Sequence, residues 1–292
     1  MRISDNMRLA SLTLDRNHNS ERLMKASRVA SSGLAVEAPS DGPSAYVAAA
    51  SADGAMARLS SRRDVMSRAG GDLDLAETTL ASATDAFVKA REIAIDMASG
   101  DKTAGERAMA ANVVNVLRDT VMSFANARGA NGYLFGGTAT GTPPINAAGA
   151  FVGNDNVLGV EIADKVVVPS NVSGATAFTP KGGRDVLQDL ANLSAALSTN
   201  NVAGIASSID SVTASHAQIV DARTQAGLQA DRFHSADSVA SAALLSIAKA
   251  KSAAIEADPT SSYSELARAK TAYEQSIAVT SQLLSLPSLA RQ

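Results

Sequence analysis

The sequence predicts a mainly α protein. The expected form is a long antiparallel helical bundle or coiled coil made by the N- and C-terminal halves, with a small β-rich insert in the middle. Three observations carry this. Apolar residues recur at heptad spacing over long tracts. The tracts 44–142 and 181–258 contain no proline, as long helices require, because all eight prolines fall at Pro39, Pro43, Pro143, Pro144, Pro169, Pro180, Pro259 and Pro287. Aromatic residues are only 3% of the chain and tryptophan is absent. Aromatic side chains anchor most compact cores, so a chain this poor in them suits slim helices packed side by side on alanine.

In the first tract Leu59, Met66, Leu73, Leu80 and Phe87 recur every seventh residue, and Arg62, Ala69, Ala76, Ala83 and Ala90 follow three places behind. Large residues at one seam position and small ones at the other fit closely spaced antiparallel helices. Gly70-Gly71 weakens the helix by about 1 kcal/mol per residue, so a bend is expected there. "SGDKTAGERAM" reads as a turn in which Thr103 and Glu106 form a capping box. The next helix carries Ala110, Val114, Leu117, Val121 and Phe124 on one stripe, and the short connection makes the two helices neighbours.

In the second tract, Val186 or Leu187 with Leu190, Leu193 and Leu197 marks a short helix. From Ile205 a 4-3 alternation then runs through Ile209, Val212, His216, Ile219, Arg223, Ala226, Ala230, Phe233, Asp237, Ala240, Leu244 and Ile247. That is a helix of about fifty residues on pattern. His216, Arg223 and Asp237 interrupt its apolar seam, as happens at a bundle edge or where a partner subunit docks. Asp258-Pro259 breaks the helix, and Ser262 with Glu265 is read as a second capping box. The last helix repeats Leu266, Tyr273, Ile277, Thr280 and Leu284, and the first offers Ile3, Met7, Leu14 and Leu23 or Met24. Neither has an evident partner inside its own segment, so the two ends are expected to pair with each other.

Between about 129 and 184 the composition changes. "VLGVEIADKVVVPSNVSGATAF" has the β-branched enrichment of short strands, with Leu158, Val160 and Ile162 on one face, and "GNDN" and "AAG" supply turns. The divisions expected are therefore 1–42 with 259–292 as terminal coiled-coil segments, 43–131 with 185–258 as a helical bundle, and 132–184 as a small β-rich outer domain.

Several function classes find no support. The net charge is −3 and no basic run stands out, so no nucleic acid is expected as partner. The locally basic first segment (Arg2, Arg8, Arg16, Arg22, Lys25, Arg28) reads as a solvated helix face. The chain has no cysteine, which removes disulfides and thiolate metal sites. "MRISDNMRLASLTLDR" lacks an apolar signal region and no stretch of about 18 apolar residues occurs, so no membrane association is expected. Export, if it occurs, would use a route without a cleaved signal peptide.

"ANGYLFGGTATGTPP" is the one passage that resembles a phosphate cradle. Gly136 and Gly141 have the spacing of a phosphate loop, but Thr142 stands where that loop needs a lysine, and prolines follow instead of a helix. The cluster, Gly136-Gly137 included, is read as a hinge. His18, His216 and His234 lack metal-ligand spacing. Glu92 and Asp96 share a charged face with Lys89 and Arg91, whereas acid/base catalysis needs a cleft. No serine-hydrolase elbow, zinc-protease or dinucleotide motif occurs. No catalytic residue, cofactor or metal is expected, and the chain is not expected to be an enzyme.

Several passages together resemble the flagellin superfamily. "MRIS" with "RVASSGLAVEAPSDGPSAY", residues 28–46, is similar to its N-terminal signature. "NGYLFGGTATGTPP" resembles the passage by which the hook–filament junction branch leaves its helical domain for a β domain. "ARTQAGLQADRF", 222–233, resembles the returning helix, with Asp231 where an asparagine is usual. "SLPSLARQ" is a divergent C-terminal end with Pro287 unusually placed. The resemblance implies a structural subunit of the bacterial flagellum, a hook-associated adaptor between hook and filament, with a filament-forming flagellin as the alternative. It implies extracellular placement by type III export and assembly with copies of itself in a helical ring. Flagellin and a neighbouring hook-associated protein would be partners, and a cytoplasmic chaperone would hold the C-terminal helix before export. Ile3, Met7, Leu14, Leu266, Tyr273, Ile277 and Leu284 would then line an inner tube. Ser40, Asp41, Gly42, Pro43, Asp258 and Pro259 would be hinges between layers. A nucleotide-binding or hydrolytic role for the glycine loop is the third reading.

Overall fold

The computed structural model describes residues 2–284. It is mainly α, with seven helices among the described residues and two short antiparallel strand pairs between them. The residues group into two compact units. One holds the described residues up to Arg58 and those from Ala243 onward, and the other is Leu59–Ala242.

The second unit is built on the heptad. α2 (Pro43–Met97) and α6 (Val202–Ile255) are the two long helices. Met66, Leu73, Leu80 and Phe87 are fully buried, and Ala69, Ala76, Ala83 and Ala90 are buried beside them. From α6, Ile205, Val212, Ile219, Ala226, Ala230 and Phe233 enter the same core. Two ion pairs fix the antiparallel register. Arg63 donates twice to Asp237, at 2.7 and 2.9 Å, and Arg223 Nε donates to Glu77 Oε1 at 2.6 Å. The pairs stand two heptads apart on both helices, so a slip of one turn would break both. Arg223 and Asp237, which interrupt the seam, therefore find partners within the chain, while His216 is half-buried.

α3 (Ala104–Ala125) starts at the capping box: Glu106 N–H donates to the Thr103 hydroxyl at 3.2 Å, and Thr103 N–H to Glu106 Oε2 at 2.7 Å. It returns antiparallel to α2, because the turn after it reaches Asp72, which accepts from Ala130 N–H at 2.8 Å and Asn131 Nδ2 at 2.9 Å. α5 (Val186–Ser198) packs on α3 and buries Val186, Leu187, Leu190, Leu193 and Leu197.

The insert is less β-rich than its composition suggests. β1 (Arg128–Gly129) pairs with β2 (Gly132–Tyr133), and β3 (Gly159–Ala163) with β4 (Val166–Pro169) through a tight turn at Asp164-Lys165. "VSGATAF" forms the short helix α4 (Gly174–Phe178), capped by Ser173, in place of a strand. Its Phe178 ring meets Phe135 edge-on, centroids 5.3 Å apart. Val160 and Ile162 pack on the core from one face of β3, whereas Leu158 lies just before the strand and is 39% exposed. Arg62, assigned to the seam by its spacing, instead reaches the hairpin turn, 2.9 Å from Asp164.

α2 stays helical through Gly70-Gly71, and the heptad register continues across the pair as its spacing predicts. Gly70 faces α6, where a Cβ would meet Phe233 and His234 at ordinary contact distance, 3.5 Å. One further expectation, the second capping box, needs correction. Ser262 and Glu265 form no capping box. α7 (Pro259–Leu284) is capped one position before its proline by Asp258, which accepts from Ser261 N–H at 2.9 Å, and Ser262 sits inside the first turn with its hydroxyl on the Asp258 carbonyl. Asp258 outcompetes Ser262 because proline at the first helical position fixes where the helix begins.

Candidate assembly surface

In the terminal unit α1 (Arg2–Ser32) packs along α7. The pair is antiparallel: Arg22 donates to Glu265 at 2.8 Å, and Ala26 and Val29 share a groove with Ser262. Further along, Leu12 and Asn19 share one with Ala272, Ser276 and Val279. Small side chains dominate this contact. Ala26, Ala49, Ser262 and Ala269 are the buried residues among those described in this unit. Both helices meanwhile hold large apolar groups in solvent. Met7 and Leu14 are each 68% exposed, and Met24, Tyr263, Ile277 and Val279 are exposed as well. Leu266 and Tyr273 are half-buried. The side chains of Ile3 and Leu284 lie outside the described residues.

The ends of α1 and α6 are stitched to each other. Gly33, at φ +73°, terminates α1, with Gly33 N–H on the Val29 carbonyl at 2.9 Å. The chain beyond it pairs with the end of α6: Ala35 N–H donates to the Ile255 carbonyl at 2.7 Å, and Ala257 N–H to the Gly33 carbonyl at 2.9 Å. Ser40 and Asp41 lie in the turn that follows, and Gly42 precedes Pro43, the first residue of α2. Asp41 caps this turn. The Ala38 N–H, then the Glu37 N–H and Lys25, hold its carboxyl below the usual carboxylate range. Asp258 at the start of α7 is lowered likewise by the Ser261 hydroxyl and amide. The positions expected to be hinges between layers thus lie at helix starts with charged caps: Ser40, Asp41 and Gly42 precede Pro43, the first residue of α2, and Asp258 precedes Pro259, the first residue of α7.

Gly136 and Gly137 lie in a different place, the tight passage between β2 and β3. Their amide neighbours are taken by protein acceptors: Thr138 N–H donates to Asn154 Oδ1 at 2.9 Å, and Asn154 N–H to the Gly136 carbonyl at 3.2 Å. A Cβ at Gly137, where φ is +68°, would collide with Asn154. A phosphate cradle directs several amides at empty space; here the glycines let two chain segments touch. Among the described residues no cluster of three or more His, Cys, Asp or Glu is arranged to hold a metal. A cavity of about 180 Å³ lies between α2 and the insert, lined by Arg68, Asp72, Leu73, Tyr133, Val160 and Asn171 among others.

Some supporting residues carry little sequence signal. Arg107, only 4% exposed, spends its guanidinium on the Met97 carbonyl at 2.9 Å, the Ser99 carbonyl at 2.7 Å and Asn200 Oδ1 at 2.5 Å. It closes one end of the bundle by binding two helix ends at once. Its signal is a position: it precedes Ala111 and Val114 on the buried stripe, where a cation needs partners. Asp189 is buried between Arg184, which donates twice at 2.6 and 2.8 Å, and the Ser215 hydroxyl at 2.6 Å. Gln218 joins this network by donating to the Ala177, Thr179 and Arg184 carbonyls. By length and composition α6 is apolar enough to cross a membrane, with mean hydropathy 1.2 over its best window.

Residues 3–140 match the family model for the bacterial flagellin N-terminal helical region. No curated protein matches the sequence. Solved structures with the same fold include a chain from Vibrio parahaemolyticus, provisionally described as a flagellar hook-associated protein. It is 25% identical with TM-score 0.67, and the match covers 73% of this chain and 99% of that one. FlgL of Xanthomonas campestris matches at 17% identity and TM-score 0.60, over 68% of this chain and 98% of that one. The flagellar junction protein FlgL of Legionella pneumophila matches at 12% identity and TM-score 0.59, over 71% and 99%. The N-terminal part of the chain is thus similar to the N-terminal helical region of flagellins, and its helical frame shares the fold of solved flagellar hook-associated and junction proteins.

Proposed function

We propose that the chain is a structural subunit of the bacterial flagellum, the adaptor that joins hook to filament. One observation carries the reading: the terminal helix pair buries only small side chains among its described residues while holding Met7, Leu14 and Ile277 in solvent. Apolar surface of this kind gains stability by leaving water, at about 25 cal/mol per Å², and a partner of the same helical type covers it best. The solved structures described as hook-associated or junction proteins favour the adaptor over a filament-forming flagellin.

In this reading copies stack head to tail as a helical ring, a heterologous contact that propagates until another protein caps it. Flagellin lies on one side and a neighbouring hook-associated protein on the other. The terminal segments form the inner layer, the bundle the middle one and the 132–184 insert the outer one. The turns at 40–43 and 258–259, and the Gly136-Gly137 passage, set the angles between layers. A cytoplasmic chaperone holds the C-terminal helix until export, and the subunit works outside the cell. It has no catalytic step and no cofactor.

Deleting the gene tests this. Electron microscopy should show finished hooks without filaments, with flagellin lost to the medium. Hooks without filaments and without released flagellin would identify the filament subunit instead. Normal flagella would overturn the reading.

A further inference from the structure

The turn between β1 and β2 is Ala130-Asn131, followed by Gly132 at the start of β2, and it ties the insert to α2. Asp72 accepts from Ala130 N–H at 2.8 Å and from the Asn131 side-chain amide at 2.9 Å. Asn131 is exposed and Asp72 half-buried. Asparagine followed by glycine is chemically fragile, because no Cβ shields the glycine nitrogen as it approaches the asparagine side chain. The glycine is nevertheless fixed here. Gly132 takes φ +114°, and a Cβ on it would run into the Thr140 carbonyl, to which Tyr133 N–H donates at 2.9 Å. The turn thus keeps a labile pair for steric reasons, with a carboxylate gripping the group that would leave.

We propose that Asn131 is a deamidation site and that Asp72 guards it. When the turn opens, hydroxide removes the Gly132 amide proton and the nitrogen attacks Asn131 Cγ. The new N–Cγ bond forms as the Cγ–Nδ2 bond breaks, and Nδ2 leaves as ammonia. Water then opens the resulting succinimide at either carbonyl, giving an aspartyl or isoaspartyl residue. The aspartyl product has its carboxylate where the amide was; the isoaspartyl product has it on the former main-chain carbonyl carbon, with the backbone rerouted through Cγ. Both have lost the donor that Asp72 accepted from, and both bring a second negative charge into the turn beside the first. Like charges at such a distance repel, so the turn does not re-dock on α2 and the change is one-way. The modification is local: the helical core does not involve Asn131.

The test uses the full chain, incubated at pH 8 and followed by peptide mass spectrometry. Asp72→Ala should gain one mass unit at the 131–132 peptide about tenfold faster than wild type, the factor expected for losing a hydrogen bond to a charged group. Circular dichroism checks that its helix content is unchanged; should that variant not fold, wild type in urea against wild type in buffer gives the same comparison. Asn131→Asp imitates the product. It should be cut faster than wild type by protease between residues 126 and 145, whereas Asn131→Ser should show no mass gain. Equal deamidation rates with and without the Asp72 contact would overturn the proposal. So would an Asn131→Asp chain as protease-resistant as wild type.

Discussion

The terminal unit and the Leu59–Ala242 unit use the same helical periodicity but bury different things. The larger unit encloses Met66, Leu73, Leu80, Phe87, Leu190, Ile219 and Phe233 with essentially no exposure. The terminal unit, among its described residues, encloses three alanines and a serine. Heptad spacing alone therefore does not separate a self-sufficient bundle from a surface awaiting a partner; the volume at the seam does. A large side chain at a buried position contributes roughly 1.5–3 kcal/mol, so the Leu59–Ala242 unit is stable on its own seam. A pair of helices meeting through Ala26, Ser262 and Ala269 gains little from the contact, and its larger apolar groups remain to be covered.

The contrast can be broken most sharply in the core. Phe87→Ala should lower stability by about 3–5 kcal/mol in urea unfolding, because an aromatic volume is lost from a fully packed site. A loss under about 1 kcal/mol would mean that the bundle is loosely packed and that the difference between the units is overstated. Arg107→Met comes next. It leaves the Met97 and Ser99 carbonyls and Asn200 without their donor, for a loss of about 2–3 kcal/mol, with faster hydrogen exchange confined to the turns around residues 97–103 and 199–201.

Gly137→Ala should act on the insert and spare the helices. The strain of a positive φ is about 1–3 kcal/mol, to which the collision with Asn154 adds. Limited proteolysis near residues 134–156 should then accelerate while helix content holds. Acid should act on the turns instead. Asp41 and Asp258 have native-state values below the ordinary carboxylate value of 3.8, so each favours the folded form when ionised. Their contribution is complete above the unfolded value and disappears as pH falls through the folded one. Exchange at the start of α2 and α7 should therefore rise below about pH 4 before the Leu59–Ala242 core opens. Asp237, lowered by Arg63, makes the core titrate in the same direction, but there the buried seam remains.

The smallest effect on the isolated chain belongs to the exposed residues. Met7→Ser, Leu14→Ser and Ile277→Ser should each change monomer stability by less than about 0.5 kcal/mol in thermal unfolding. A larger loss would show that these side chains already have a structural role before any partner arrives.

Much of the helical frame was legible because large residues every seventh position leave a strong periodic trace, and because Thr103-x-x-Glu106 marks a helix start. The insert was less so. Its valines and glycines suit strands, but "SGATAF" becomes helical once Ser173 caps it and Phe178 finds Phe135, a contact that local composition does not reveal. Ser262 and Glu265 had the right spacing for a cap, yet Asp258 before Pro259 is the stronger one, and Glu265 is engaged by Arg22 instead. The seam interruptions at Arg223 and Asp237 were visible as charges in an apolar pattern. That their partners would be Glu77 and Arg63 required the antiparallel register, which no single helix encodes.

The most direct measurement is complementation of the deletion strain with the full chain carrying both Leu14→Ser and Ile277→Ser. The account predicts a stable, exported protein with helix content like wild type, hooks lacking filaments, and flagellin released into the medium. Wild-type filaments on those cells would contradict it, because the exposed faces of α1 and α7 would then not be the surface on which the flagellum is joined.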